Sequence, residues 1–188
     1  MKKILSAFIM VLTIITTFNA NAQEENNIMK NSKNLVVYFS ATGTTAGVAK
    51  KLSKAINADL FEIKPEQPYT EADLDWHDKN SRSSVEMKNQ SSRPIIAEKI
   101  ENIDQYKVIF VGFPIWWHRE PSIVDTFMES YEFNGQTIIP FATSGSSDIG
   151  SSGDNMQELA PNAKVYEGKR FPKDVSEEDL KTWAEEWL

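Results

Sequence analysis

Cysteine is absent from the 188 residues, and histidine occurs only at His77 and His118. Without a thiol the chain has no thiolate nucleophile, no disulfide, no cysteine-ligated zinc or iron–sulfur cluster and no lipid attached through sulfur. Two histidines far apart in sequence are thin material for a metal site. Basic residues are in the minority: 20 Lys plus Arg face 27 Asp plus Glu, for a net charge of −7. That sign repels a phosphate backbone, which argues against nucleic acid as a partner and favours proteins with basic docking faces. Long apolar runs are scarce too, with one exception at the start. What is present, 40% hydrophobic and 25% charged residues, is the make-up of a globular protein rather than a disordered or collagen-like one. At this length folding removes roughly 70% of the unfolded chain's surface from water, enough for one core and one domain.

The exception is Ile4 to Phe18, preceded by Lys2 and Lys3 and followed by Ala20-Asn21-Ala22. A basic start, an apolar stretch and a small-x-small site make a secretory signal peptide over residues 1–22, cleaved after Ala22. The run is about fifteen residues, short of the ~20 a spanning helix needs, so no stable membrane anchor is expected after cleavage. With no twin arginine, the signal implies export in the unfolded state, and a periplasmic location is expected. Residues 23–33 are polar and Asn-rich and read as a flexible leader to a domain over 34–188.

Within that domain Leu35–Phe39, Leu60–Ile63, Lys107–Gly112, Thr137–Ala142 and Lys164–Tyr166 are short apolar, β-rich runs that predict five strands. Helical patterns follow at Val48/Leu52/Ile56, Pro94–Ile100, Pro121–Met128, Gly150–Ala160 and Ser176–Leu188. Pro140 removes a ladder donor and predicts a bulge or interruption in the fourth strand. A long polar insertion, Lys64–Arg93, separates the second strand from the next helix. No internal repeat is present. Strands alternating with helices, nearly continuous in Val, Ile and Phe, predict a doubly wound parallel sheet between two helical layers. Such sheets bind ligands beyond the carboxyl ends of their strands.

Three loops lie there. Ser40-Ala41-Thr42-Gly43-Thr44-Thr45 enters a helix with four hydroxyls and successive backbone amides, which suits a phosphate. It lacks the P-loop lysine and the GxGxxG of dinucleotide folds, so a terminal monophosphate is expected, held by neutral donors. Pro114-Ile115-Trp116-Trp117 places two indoles at a strand end, where neighbours point in opposite directions, one inward and one to the cleft. Stacking on an indole contributes ~0.5–1.5 kcal/mol beyond the area buried and selects an aromatic ligand. Thr143-Ser144-Gly145-Ser146 offers small residues whose backbone can approach a flat heterocycle. Phosphate cradle, stacking surface and amide-rich edge together describe a site for flavin mononucleotide (FMN).

These residues resemble the flavodoxin family, whose phosphate loop S/T-x-T-G-x-T matches Ser40, Thr42, Gly43 and Thr45. The P-I-W-W loop matches Pro114–Trp117 and the T-S-G-x loop matches Thr143–Gly145. The resemblance spans about residues 34–170 and implies a five-stranded flavodoxin-like sheet, non-covalent FMN and one- or two-electron transfer. Many relatives have glycine after the second tryptophan; here His118-Arg119-Glu120 stands there, bringing bulk and charge toward the ring's exposed edge. No tyrosine follows the fourth strand to cover the second flavin face. From the insertion, Arg82 and Trp76 are candidates for covering the flavin edge. A phosphate held without cations beside an acidic surface disfavours an anionic reduced ring, which implies a low-potential electron carrier docking on basic faces of redox partners. The alternative is an FMN-dependent NAD(P)H oxidoreductase acting directly on quinones or nitro or azo compounds.

Other proteins of similar topology are excluded by residues. A low-molecular-weight phosphatase needs cysteine. A response-regulator receiver needs aspartate at the end of the third strand, where this chain has Gly112-Phe113-Pro114, and a serine hydrolase needs a G-x-S-x-G that is missing.

Overall fold

A computed structural model describes residues 33–188. The expected signal peptide and all of the leader except Lys33 lie outside the described residues. Within them no helix is long and apolar enough to cross a membrane.

The elements run β1 (Lys33–Tyr38), α1 (Thr44–Ile56), β2 (Asp59–Glu62), α2 (Arg82–Lys88), β3 (Tyr106–Pro114), α3 (Ser122–Glu129), β4 (Thr137–Thr143), α4 (Ser152–Leu159), β5 (Lys164–Val165), β6 (Lys169–Phe171) and α5 (Glu177–Ala184). The sheet is parallel throughout, in the order β2-β1-β3-β4-β5, with β6 also on β4. This is the doubly wound, three-layer arrangement that the alternating pattern predicts. Side chains along β1 and at Phe39 just beyond it divide between the faces: Leu35, Val37 and Phe39 join the core under α3 and α4, and Val36 and Tyr38 join the one under α1 and α5. Ile109, Val111 and Phe113 of β3 belong to the first core, Val108 and Phe110 to the second. Burial on both sides is why these strands read as unbroken apolar runs rather than alternating ones.

Two expectations are corrected. Pro94–Ile100 is not helical. It lies extended and bridges antiparallel to the chain after β2, with Pro65 opposite Ile96; Glu66 N–H donates to Ile95 C=O at 2.8 Å and Ala97 N–H to Lys64 C=O at 2.9 Å. Two adjacent β-branched isoleucines favour that extension, and the bridging bonds satisfy amides that a helix would have served. Pro140 causes neither bulge nor break in β4, which keeps its register with β3 from Thr137 to Thr143. The interruption is in the outer neighbour: β5 pairs with Thr137 and Ile138, β6 with Phe141 to Thr143, and Pro140 faces the gap between them. The insertion is also structured, with a 3-10 turn at Ala72–Leu74 and helix α2, capped by the Ser81 side chain accepting from Ser84 N–H.

Candidate functional site

The carboxyl ends of β1, β3 and β4 meet at one rim. After β1 the chain turns through Gly43, whose φ of +87° is a left-handed conformation that glycine adopts without strain. Gly43 N–H donates to Ser40 Oγ at 3.1 Å. No side chain caps α1, and its first turn carries no acid. The first backbone bond of the helix runs from Gly47 N–H to Gly43 C=O, so the amides of Thr44, Thr45 and Ala46 precede the ladder. Open amides, a helix dipole and the hydroxyls of Ser40, Thr42 and Thr44 form a cradle suited to an anion. Thr45 instead braces the rim, because its buried hydroxyl lies 2.8 Å from Thr143 Oγ1 and ties the start of α1 to the end of β4.

After β3 the chain forms a two-residue hairpin. Trp116 N–H donates to Arg119 C=O at 2.9 Å and Arg119 N–H to Trp116 C=O at 3.1 Å. Trp117 and His118, at its tip, have φ of +47° and +68°. Both positive values are those of a type I′ turn, which favours glycine at its second position. The glycine that the resemblance places here therefore has a backbone reason, and His118 occupies its place under strain. The two indoles differ in exposure, but both reach a cavity, so the expected division into one inward and one cleft-facing ring does not hold. Trp116 is partly buried, held by the edges of Phe39 and Tyr69 at centroid distances of 5.6 and 5.4 Å, whereas Trp117 is 45% exposed.

Two compartments flank Trp116. One, of 560 Å3, is lined by Thr42, Thr44, Pro114, Ile115 and Trp116, by Thr143, Ser144 and Gly145, and by Arg170 and the Pro172–Asp174 segment. The other, of 540 Å3, is lined by Ser40, Ala41 and Thr42, by Pro114 to His118, by Ser147, and by Leu74, Trp76 and Ser83 of the insertion. Of the predicted residues Gly43, Thr45 and Ser146 line neither. The loop after β4 is closed by Ser144 Oγ donating to Ser147 C=O. It supports the hairpin at Gly150, where a β-carbon would lie 2.6 Å from the His118 carbonyl oxygen.

The hairpin is rooted in a buried ionic cluster. Arg119 Nη2 donates to Asp125 Oδ2 and lies 3.1 Å from Glu120 Oε1, and Glu120 accepts from Asn155 Nδ2 of α4 at 3.2 Å. Arg93 approaches Asp125 at 3.8 Å and pairs with Glu129. Arg119 Nε and Asp125 Oδ1 are buried without a partner. Burial, then the neighbouring Glu120 charge, push the Asp125 carboxyl up to about 7 against the opposing pull of Arg119. Arg119 is thus an inward anchor, and the charge expected near the ring's exposed edge does not come from it.

Arg82 is corrected as well. It lies 3.9 Å over the Tyr69 ring, donates through Nε to Glu86 and through Nη1 to Gln67 C=O, and so braces the insertion rather than the cavity. Tyr69, which donates to Glu86 at 2.5 Å, carries that brace to Trp116; burial and then the Glu86 contact raise its pKa. Trp76 does line a compartment, 67% exposed and stacked on His77. Sequence reasoning misses Tyr69, Arg170 and Lys173, and misplaces Arg119. Arg170 and Lys173 correct the expectation of a cation-free site. They sit on β6 and the segment after it, over 120 positions beyond the phosphate loop, and a three-residue strand carries no pattern that could announce them.

A sequence-family model described as flavodoxin matches residues 33–187. The fold is similar to that of a flavoprotein from Bacteroides eggerthii, with 49% identity over 82% of this chain and 97% of that one and a TM-score of 0.76. A flavoprotein from Bacteroides uniformis is 47% identical over 82% and 99% of the two chains, also with a TM-score of 0.76. A flavoprotein from Lactobacillus acidophilus, solved in complex with FMN, shares the fold at 21% identity over 81% and 99%, with a TM-score of 0.62. None of the curated proteins matches. With the family model covering every strand of the sheet and all three rim loops, the chain belongs to the flavodoxin family.

Proposed function

We propose that the protein binds FMN non-covalently at this rim and serves as an electron-transfer flavodoxin. The observation that carries the reading is the uncapped start of α1, with three amides outside the ladder, opening beside a compartment walled by Trp116 and the Thr143–Gly145 segment. The residues fit the cofactor: the cradle has donors for a phosphate, Trp116 offers an indole fixed by two aromatic edges, and the loop after β4 offers backbone to a polar ring edge. Bound FMN supplies one- or two-electron redox chemistry, and the chain orients it and sets its electrostatics. The Lactobacillus acidophilus neighbour with FMN supports the choice of cofactor.

The net charge of −7 favours transient docking on basic faces of redox partners at steered rates. A low potential draws its support from that acidic surface; the cation-free cavity no longer contributes to it. A second reading, direct reduction of quinones or nitro or azo compounds with NAD(P)H, is favoured by the 540 Å3 compartment. Its Trp76, Trp117 and His118 would receive a planar substrate. Adding FMN to purified protein should give a stoichiometric yellow complex with quenched flavin fluorescence. The complex should be reduced by NADPH only when a flavodoxin reductase is present. Failure to take up FMN overturns the proposal, and rapid reduction by NADPH alone selects the second reading. A periplasmic site of action, proposed from the Ile4–Ala22 pattern, is tested by fractionation and N-terminal sequencing of the secreted chain.

A further inference from the structure

Two cations of an acidic protein, Arg170 and Lys173, line the 560 Å3 compartment. Arg170 and Lys173 take part in no ion pair among the described residues. The one hydrogen bond of the Arg170 guanidinium is a long one, 3.5 Å from Nη1 to Ser144 C=O, which leaves most of its five donors unused. The single acid of the same wall is Asp174, so the wall carries a net charge of about +1.

The chain path brings these residues to the phosphate cradle and fixes them there. In β6 Arg170 pairs with Ala142 and Phe171 with Thr143, whose hydroxyl is tied to Thr45 at the start of α1. Beyond β6 the segment is clamped to α1 by Lys51 Nζ donating to Val175 C=O at 2.8 Å and by Lys54 pairing with Glu177. Thr42 and Thr44 line the same compartment. A half-buried guanidinium and an ammonium across a cavity from open helix amides favour a doubly charged anion far more than neutral donors alone.

We infer that Arg170 and Lys173 form an anion-recognition pair that reads the phosphate monoester of the ligand and discriminates FMN from riboflavin. The inference rests on the FMN reading above. Its shared chemistry is a phosphate, borne by the flavin or free in solution, and the two sources are separable by experiment.

Fluorescence titration of the apoprotein with FMN and with riboflavin tests it, using wild type, Arg170→Gln, Lys173→Gln and the conservative Arg170→Lys. Loss of a charge-assisted contact should weaken FMN binding about ten- to a hundredfold in Arg170→Gln, and less in Lys173→Gln, with riboflavin affinity unchanged. Arg170→Lys should keep most of the FMN affinity. The thermal midpoint of the apoprotein should rise with inorganic phosphate in wild type and not in Arg170→Gln. Equal FMN affinity in all variants overturns the inference, as does a parallel loss for FMN and riboflavin, which would mark a structural role or a ring contact. If wild type binds neither flavin, the FMN reading fails, and the phosphate-induced shift in wild type against Arg170→Gln still decides whether the pair binds an anion.

Discussion

His118 stands where the resemblance places glycine, and the departure is conformational as well as chemical. A side chain at φ +68° meets steric resistance of about 1–2 kcal/mol, of which glycine would recover part after its own entropic cost in the unfolded chain. His118→Gly should therefore stabilise the apoprotein by about 0.5–1 kcal/mol, seen as a rise of a few degrees in Tm; an unchanged or lower Tm would mean that the imidazole makes a compensating contact. The position was legible from sequence as a departure, through W-W-H-R in place of W-W-G. Its direction was not, because the signs of φ at Trp117 and His118 follow from a hairpin closed by Arg119, and Arg119 read as a charge near the ring's exposed edge. At the same scale Ser40, Thr42, Thr44 and Trp116 were readable because their chemistry is local: hydroxyls before a helix, an indole after a strand.

Between elements, the ionic cluster joins the hairpin after β3 to α3 and α4. Asp125 faces Arg119 and Glu120 from the hairpin's end and Arg93 from the end of the insertion. Its carboxyl, raised to about 7, binds a proton more tightly in the folded state than in the unfolded one. Stability contributed by that proton is present at low pH and is lost as pH rises from the ordinary carboxylate range through about 7, with a slope of up to about 1.4 kcal/mol per pH unit. Glu129 and Asp73, whose carboxyls are lowered by hydrogen bonds from Arg93 and Thr70, act below that window. Urea unfolding between about pH 5 and pH 7.5 should show wild type weakening with pH and Asp125→Asn nearly flat; parallel curves would exclude Asp125 as the source. None of this was readable in advance, since R-E-P-S-I-V-D looks like an ordinary helix entry until α4 supplies Asn155. The strands were readable because both faces of the sheet are buried. Pro94–Ile100 was not, because its pairing with Pro65 outweighs its local pattern, and β6 is too short to show a period.

Across the molecule, charge is distributed unevenly: in an acidic chain, two cations without an ion pair among the described residues line one wall of the candidate compartment. A phosphorylated ligand approaching from solution first meets net repulsion, which added salt screens over a Debye length of about 8 Å at physiological ionic strength. Once seated it meets attraction, which salt also weakens. Stopped-flow traces should therefore show FMN association and dissociation both accelerating with ionic strength, whereas in Arg170→Gln the dissociation rate should respond less; association that slows with salt would contradict the picture. An acidic surface and a basic wall of opposite sign would work together as a turnstile, slow to admit the cofactor from dilute solution and slow to release it. Under the proposed carrier role, this arrangement would keep the cofactor seated between encounters, because the encounter surface and the grip answer to different charges.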